Sequence, residues 1–176
     1  RHEKRQQAFY KIAAAVSDAD DLDNLYEIVH EIIGEVILAS NFYIATYDQQ
    51  TDLVRYPYYF SENGMIAAQP RTHFAQTSTG LTALLIRKGT ALLLKKADLD
   101  AMREQELLEI KIPGTTEWLG VPLKTTDGQI IGVIAVMTNN PAEHFSRGDE
   151  DFLTFVSTQV AMAMQRKRTQ DDLRDK

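Results

Sequence analysis

The chain has 176 residues, 44% of them hydrophobic and 25% charged, which is the composition of one globular domain long enough to bury a core. A net charge of −6 and a pI near 5.2 speak against a nucleic-acid surface, because phosphate binding needs Lys and Arg clustered on one side. The absence of cysteine excludes disulfides, thiolate metal sites, thiol catalysis and thioether-linked cofactors, and it is compatible with the reducing cytoplasm expected as the location. Taken in chain order, residues 2 to 17 place Phe9, Ile12, Ala13 and Val16 at helical spacing, and "SDADD" interrupts them with good N-cap residues. The stripe Leu22, Leu25, Ile28, Val29, Ile32, Ile33, Val36 and Ile37 predicts a second helix from about Leu22 to Ala39.

"NFYIATYD" and "DLVRYPYYF", joined by "DQQT", read as a β-hairpin, and Pro57 points to an edge or a bulge in its second strand. Asn63-Gly64 marks a turn, and "RTHFAQ" reads as a short edge strand. "TSTGLTALLIRKG" predicts a short helix with Thr79 as N-cap, Arg87 and Lys88 in its last turn and Gly89 at its stop. "TALLL" follows as a strand, then "DLDAMREQELLEI" as a helix capped by Asp98 or Asp100, and "KIPGTTE" as a loop. "EWLGVPLKTTDGQIIGVIAV" is a second hairpin around a Thr-Asp-Gly turn, and a long helix starts near Ser146 with acidic residues at its positive end. Five helices and five or six short strands with hairpin connections predict an α+β fold around an antiparallel sheet.

Catalytic motifs are missing. His2, His30, His73 and His144 form no metal-binding pair, and His30, off the apolar stripe of its helix, is expected to face solvent. Ser78 and Ser157 lack the context of a nucleophile elbow, and no glycine-rich phosphate loop exists. The helix start at Thr79 to Leu81 could hold a carboxylate or phosphate on its backbone N–H groups and a hydroxyl, although every helix has such an end and a simple cap is the favoured reading. No run reaches the roughly 18 apolar residues of a membrane span, and "RHEKRQQ" has no apolar core behind it. Aromatic residues crowd the first hairpin; strict alternation places Tyr56, Tyr58 and Phe60 on one face, as a pocket lining or as ordinary core.

In order, "NFYIATYD", "RYPYYF", "TGLTALLIRKGTALLL", "GTTEWLGVPLK", "GQIIGVIAV" and "HFSRGDEDFLTFVSTQVAMA" resemble a GAF domain of the kind found in bacterial sensor proteins, over about residues 20 to 166. The resemblance implies a six-stranded antiparallel sheet with the terminal helices on one face and two short helices, at 80 to 88 and 98 to 110, over the ligand face. Residues 1–19 would then be an N-terminal signalling helix, 20–166 the domain itself and 167–176 the start of a helical linker. The implied ligand-binding residues are Phe42, Ile44, Tyr56, Tyr58 and Phe60 of the first hairpin, Thr79, Gly80 and Leu81 of the helix start, and Trp118 and Val121 of the second hairpin. The segment from Asp98 to Gly114 would complete the lining.

Departures from the family narrow the expectation. Bilin-binding and methionine sulfoxide reductase relatives use cysteines, so neither a covalent bilin nor that reductase chemistry is expected, and no other cofactor or metal is implied. Cyclic-nucleotide-binding relatives carry an Asn-Lys pair before Phe-x-x-x-Asp-Glu. Here Phe145, Asp149 and Glu150 match the second half, but Asn140 and Pro141 stand where the lysine would be. A buried aromatic and an acidic first turn explain Phe145 and Asp149 without a ligand.

The expected role is a non-enzymatic regulatory sensor domain that binds a small molecule non-covalently, dimerises, or does both. Its terminal helices would form a parallel homodimer and pass a signal to an output domain in the same chain, such as a histidine kinase or diguanylate cyclase. The alternative is a ligand-free dimerisation scaffold. A start without Met and the ending "QRKRTQDDLRDK" read as a segment of a longer protein, with no nucleic-acid partner and no membrane segment in this part.

Overall fold

The computed structural model of the protein describes residues 2–62, 64–66, 69–104 and 114–175. The first two predicted helices form as α1, His2–Asp18, and α2, Leu22–Val36. Asp21 caps α2 by accepting from the backbone N–H of Asp23 at 3.0 Å. The helix stops three residues before Ala39. Ile37 turns extended to bury its side chain, and the N–H of Ser40 bonds the carbonyl of Met137, so the chain has already joined the sheet.

The first hairpin is β1, Asn41–Asp48, and β2, Leu53–Ser61, paired antiparallel. Between the pairs Ile44–Tyr58 and Thr46–Arg55, one residue of β1 faces two of β2, Tyr56 and Pro57. This is the bulge that the proline's missing N–H foretold. Short strands β3, Gly64–Ile66, and β4, Gln69–Phe74, both line the outer edge of β2. The predicted edge strand is thus β4, while Asn63 of the predicted turn lies outside the described residues.

Helix α3, Leu81–Lys88, ends on Gly89 at φ 78°, the left-handed stop expected of a glycine there. Strand β5, Leu92–Leu94, leads into α4, Lys96–Glu104. This helix starts before either expected cap. Asp98 reaches back from the first turn to accept from the N–H of Lys95 at 2.9 Å, and Asp100 pairs with Lys96 instead. The remainder of the predicted helix, 105–110, lies outside the described residues.

Strands β6, Glu117–Lys124, and β7, Ile130–Thr138, form the second hairpin, and β7 pairs with β1 to close the centre of the sheet. All pairings are antiparallel, in the order β3-β2-β1-β7-β6-β5, with β4 also paired to β2. The described strands number seven, where the family resemblance implied six, because the edge beside β2 is divided into two pieces.

Helix α5, Arg147–Arg174, closes the chain. It opens with a full capping box: the hydroxyl of Ser146 accepts from the N–H of Asp149, and the Asp149 carboxylate accepts from the N–H of Ser146. Arg5 of α1 adds an ion pair to Asp149 at 3.3 Å, its guanidinium lying against Gly148, where a Cβ would collide with it.

Two apolar layers sandwich the sheet. On one face α2 and α5 pack on Phe42, Ile44, Tyr58, Leu119, Val121 and Val136, and α1 packs on those two helices. On the other, α3 covers Tyr43, Ala45, Trp118, Val133, Ala135 and Met137.

Candidate functional site

Neighbouring strand residues point to opposite faces, so each hairpin contributes to both layers. On the α3 face the central residue is Tyr43 of β1, 4% exposed. Its ring stacks parallel on Tyr59 at 5.5 Å and meets Tyr56 edge-on at 5.3 Å, both from β2. The Tyr43 hydroxyl lies 2.5 Å from the hydroxyl of Thr82 in α3, and the Tyr56 hydroxyl donates to the same atom at 3.1 Å. Thr82 is itself buried. Burial, with Tyr56 alongside, pushes the Tyr43 hydroxyl well above the usual tyrosine range, so it stays protonated at neutral pH.

Trp118 of β6 completes this layer. It is 1% exposed, and the outer edge of its indole lies against Gly120 beside Leu85 of α3. The result is an aromatic floor carrying neutral hydroxyls and an indole N–H, without a nucleophile paired to a base. Tyr43 and Trp118 of this layer are packed beneath α3 and its Thr82, and Tyr56 and Tyr59 are its partly exposed rings; aromatic faces of this kind can stack on a planar ligand. Among the described residues no three His, Asp or Glu side chains are grouped to hold a metal ion.

The predicted lining residues divide between the faces. Tyr56, Leu81 and Trp118 belong to the α3 layer. Phe42, Ile44, Tyr58, Phe60 and Val121 belong to the opposite layer under α1, α2 and α5. Tyr56 therefore does not share a face with Tyr58 and Phe60. The extra residue at the Pro57 bulge shifts the alternation by one, which puts Tyr59 beside Tyr56 instead. Thr79 is exposed and is not the cap of α3; Gly80 takes the N-cap position, and the Ser78 hydroxyl accepts its N–H. Of the segment 98–114, residues 105–113 lie outside the described residues.

Three residues escaped the sequence reading: Tyr43, Tyr59 and Thr82. The signal for Tyr59 was the proline itself, since a bulge there moves the phase of every later residue in β2, and Tyr43 is the β1 residue paired with Tyr59. His30 also differs from expectation. It is half-buried, stacks on Phe42 at 4.7 Å and lies 2.8 Å from the Tyr58 hydroxyl. Burial lowers its pKa, so the ring is neutral at pH 7. The bulge explains this as well, because it turns Tyr58 toward α2.

A polar knot sits at the start of β6, where Glu117 is 3% exposed. Its carboxylate accepts from Lys95 at 3.1 Å, from the backbone N–H of Phe145 at 2.8 Å, and from His144 at 2.5 Å. Burial pushes this carboxyl up, but the hydrogen bonds from His144, Phe145 and Lys95 outweigh burial and hold it below the usual 4.5. The unfolded chain then binds the extra proton first. Glu117 contributes stability that is full above pH 4.5 and lost as pH falls through its lower folded value. Melting temperature followed against pH should drop more steeply below pH 4.5 for the native chain than for Glu117→Gln.

This architecture has clear relatives. The GAF domain of an Acinetobacter phosphoenolpyruvate-protein phosphotransferase matches at 15% identity with a TM-score of 0.76, over 96% of this chain and 97% of that one. The corresponding GAF domain from Coxiella burnetii matches at 16% identity and a TM-score of 0.73, over 97% and 98%. A free methionine-R-sulfoxide reductase from Neisseria meningitidis, solved with its substrate, matches at 15% identity and a TM-score of 0.70, over 94% and 90%. At such identities the likeness is one of fold. No curated protein sequence matches the chain. The GAF domain family model, however, matches residues 19–165, most of the chain, and with the antiparallel sheet between its two helical layers this places the protein in the GAF domain family.

Proposed function

We propose that the chain is a regulatory sensor domain that binds a small molecule non-covalently against the α3 face of its sheet and signals through α1 and α5 to an output domain of a larger protein. The observation that carries this reading is the layer of Tyr43, Tyr56, Tyr59 and Trp118 gathered around Thr82, on the face away from the terminal helices. Ligand recognition and output would then use opposite faces of one sheet. A ligand acts by favouring one of two arrangements of the terminal helices, which requires different affinities for the two.

Regulatory settings are also found among the neighbours. Two are GAF domains of phosphoenolpyruvate-protein phosphotransferases, and a third is a segment of a methyl-accepting chemotaxis protein. A catalytic role like that of the sulfoxide reductase neighbour is disfavoured, because family members with that activity rely on cysteines and this chain has none. The output would be a kinase or cyclase domain in a cytoplasmic two-component or cyclic-dinucleotide pathway. Among the described residues no helix is long and apolar enough to cross a membrane.

The terminal helices would pair two copies in parallel, with exposed Tyr10 of α1 and Met162 of α5 available on their outer surfaces. Small-angle scattering of the longer protein should give a dimer; a strict monomer at high concentration removes this part of the proposal. For the ligand, Trp118 is the only tryptophan in the chain and lies in the proposed floor. Titrating nucleotides, haem, amino acids and small acids should change its emission and raise the melting temperature for at least one compound. A silent panel on both readouts would favour the scaffold, in which the domain only brings partners together.

A further inference from the structure

The polar knot around Glu117 joins three parts of the chain. Lys95 lies between β5 and α4, Glu117 opens β6, and His144 and Phe145 immediately precede α5. Lys95 also donates to the carbonyl of Phe145 at 2.7 Å, so both polar groups of the Phe145 backbone are tied to it. Phe145 leads into the capping box of Ser146 and Asp149, and Asp149 pairs with Arg5 of α1. On the other side, the residue next to Glu117 is Trp118. Alternation sends the indole into the α3 layer while the carboxylate faces Phe145 and the bundle.

We infer that Glu117 and Trp118 form the coupling element of the domain, a two-residue lever in which movement of the aromatic floor is passed through Glu117 to the first turn of α5 and to α1. Stability alone gives little reason for such a knot, because a buried charge costs desolvation that well-packed apolar side chains avoid. A buried carboxylate with three donors does, however, fix the relative placement of the segments that supply them, since any shift leaves it unsatisfied. The lever rests on the sensor reading of the α3 face, but its mechanics are measurable without any ligand.

The test uses the whole chain, ligand-free, and the emission of Trp118. Asp149→Asn weakens the capping box and the Arg5 pair without touching the α3 layer, and it should shift the emission maximum. In a Glu117→Leu background, where the carboxylate and its bonds to Lys95, His144 and Phe145 are gone, the same change should have no effect. The reciprocal measurement is hydrogen exchange. Thr82→Val removes the hydroxyl shared by Tyr43 and Tyr56, and it should speed exchange at the first turn of α5 by about fivefold, an ordinary strength of coupling between sites. Exchange within α2 should stay at the native rate. Emission indifferent to Asp149→Asn, equal shifts with and without the Glu117 carboxylate, or acceleration spread equally over α2 would each overturn the lever. A silent ligand panel would leave these results unaffected and would count against the sensor reading alone.

Discussion

Gly132→Ala is expected to destabilise the domain by about 3 kcal/mol or more, the upper range for forcing extra volume into a packed interior. Gly132 lies in β7 opposite Thr46 of β1, at the centre of the sheet. A Cβ at this position would overlap the carbonyl oxygen of Ala45 and come within 2.8 Å of Leu123 Cδ1. The first obstacle is backbone, so no rotamer change relieves it; β1 and β7 must separate and lose ladder bonds between them. For a domain of this size the loss corresponds to a fall of roughly 6–12 °C in melting temperature. Gly34→Ala supplies the control. Gly34 sits on the exposed side of α2, and a Cβ there meets nothing within 4 Å. That change should stabilise by about 0.5–1 kcal/mol, the usual advantage of alanine over glycine inside a helix. Thermal melts of the two variants should move in opposite directions, and a Gly132→Ala protein melting with the native one would show that β1 and β7 do not approach as described.

The contrast between these glycines also shows what could be read before the structure. Local rules operate within a few residues, so the stripe of α2, the Gly89 stop and the acidic start of α5 were legible in the sequence. Both hairpins were legible for the same reason. The faces of β2 were not, because a bulge was anticipated at Pro57 without its consequence for residues 58 to 60. One inserted residue exchanges the two faces, which moved Tyr58 and Phe60 into the helical layer and left Tyr59 in the aromatic floor. His30 followed, since its burial depends on Phe42 and Tyr58 coming from strands distant in sequence. Glu117 was harder still. Its partners lie 22 and 28 residues away, on segments that only the folded sheet brings together. Periodicity reports which way a side chain faces, whereas a buried charge depends on contacts that no local pattern encodes.

Trp118→Ala should cost about 3–5 kcal/mol, the range for removing a large buried aromatic side chain. Trp118 heads the largest fully buried side chains of the protein, and its removal opens a cavity between β6 and α3 while leaving the layer under α1, α2 and α5 intact. Its interaction with Gly120 makes the expectation sharper than a simple cavity. A Cβ at Gly120 would collide with the indole at Cη2 and Cζ3, the latter at 2.7 Å, and with Leu85 Cδ1 at 2.8 Å. Gly120→Ala in the native chain must therefore displace the indole or α3, at a cost of about 1–3 kcal/mol. In the Trp118→Ala background two of those three collisions vanish, and the added methyl fills part of the cavity. The double variant should be more stable than the sum of the single changes predicts, by about 1–3 kcal/mol, the size of coupling typical of side chains in direct contact. Denaturant melts of the four proteins measure this directly. Additive behaviour to within about 0.5 kcal/mol would mean that the indole does not lie against Gly120, and the aromatic floor proposed for the ligand would lose its central member.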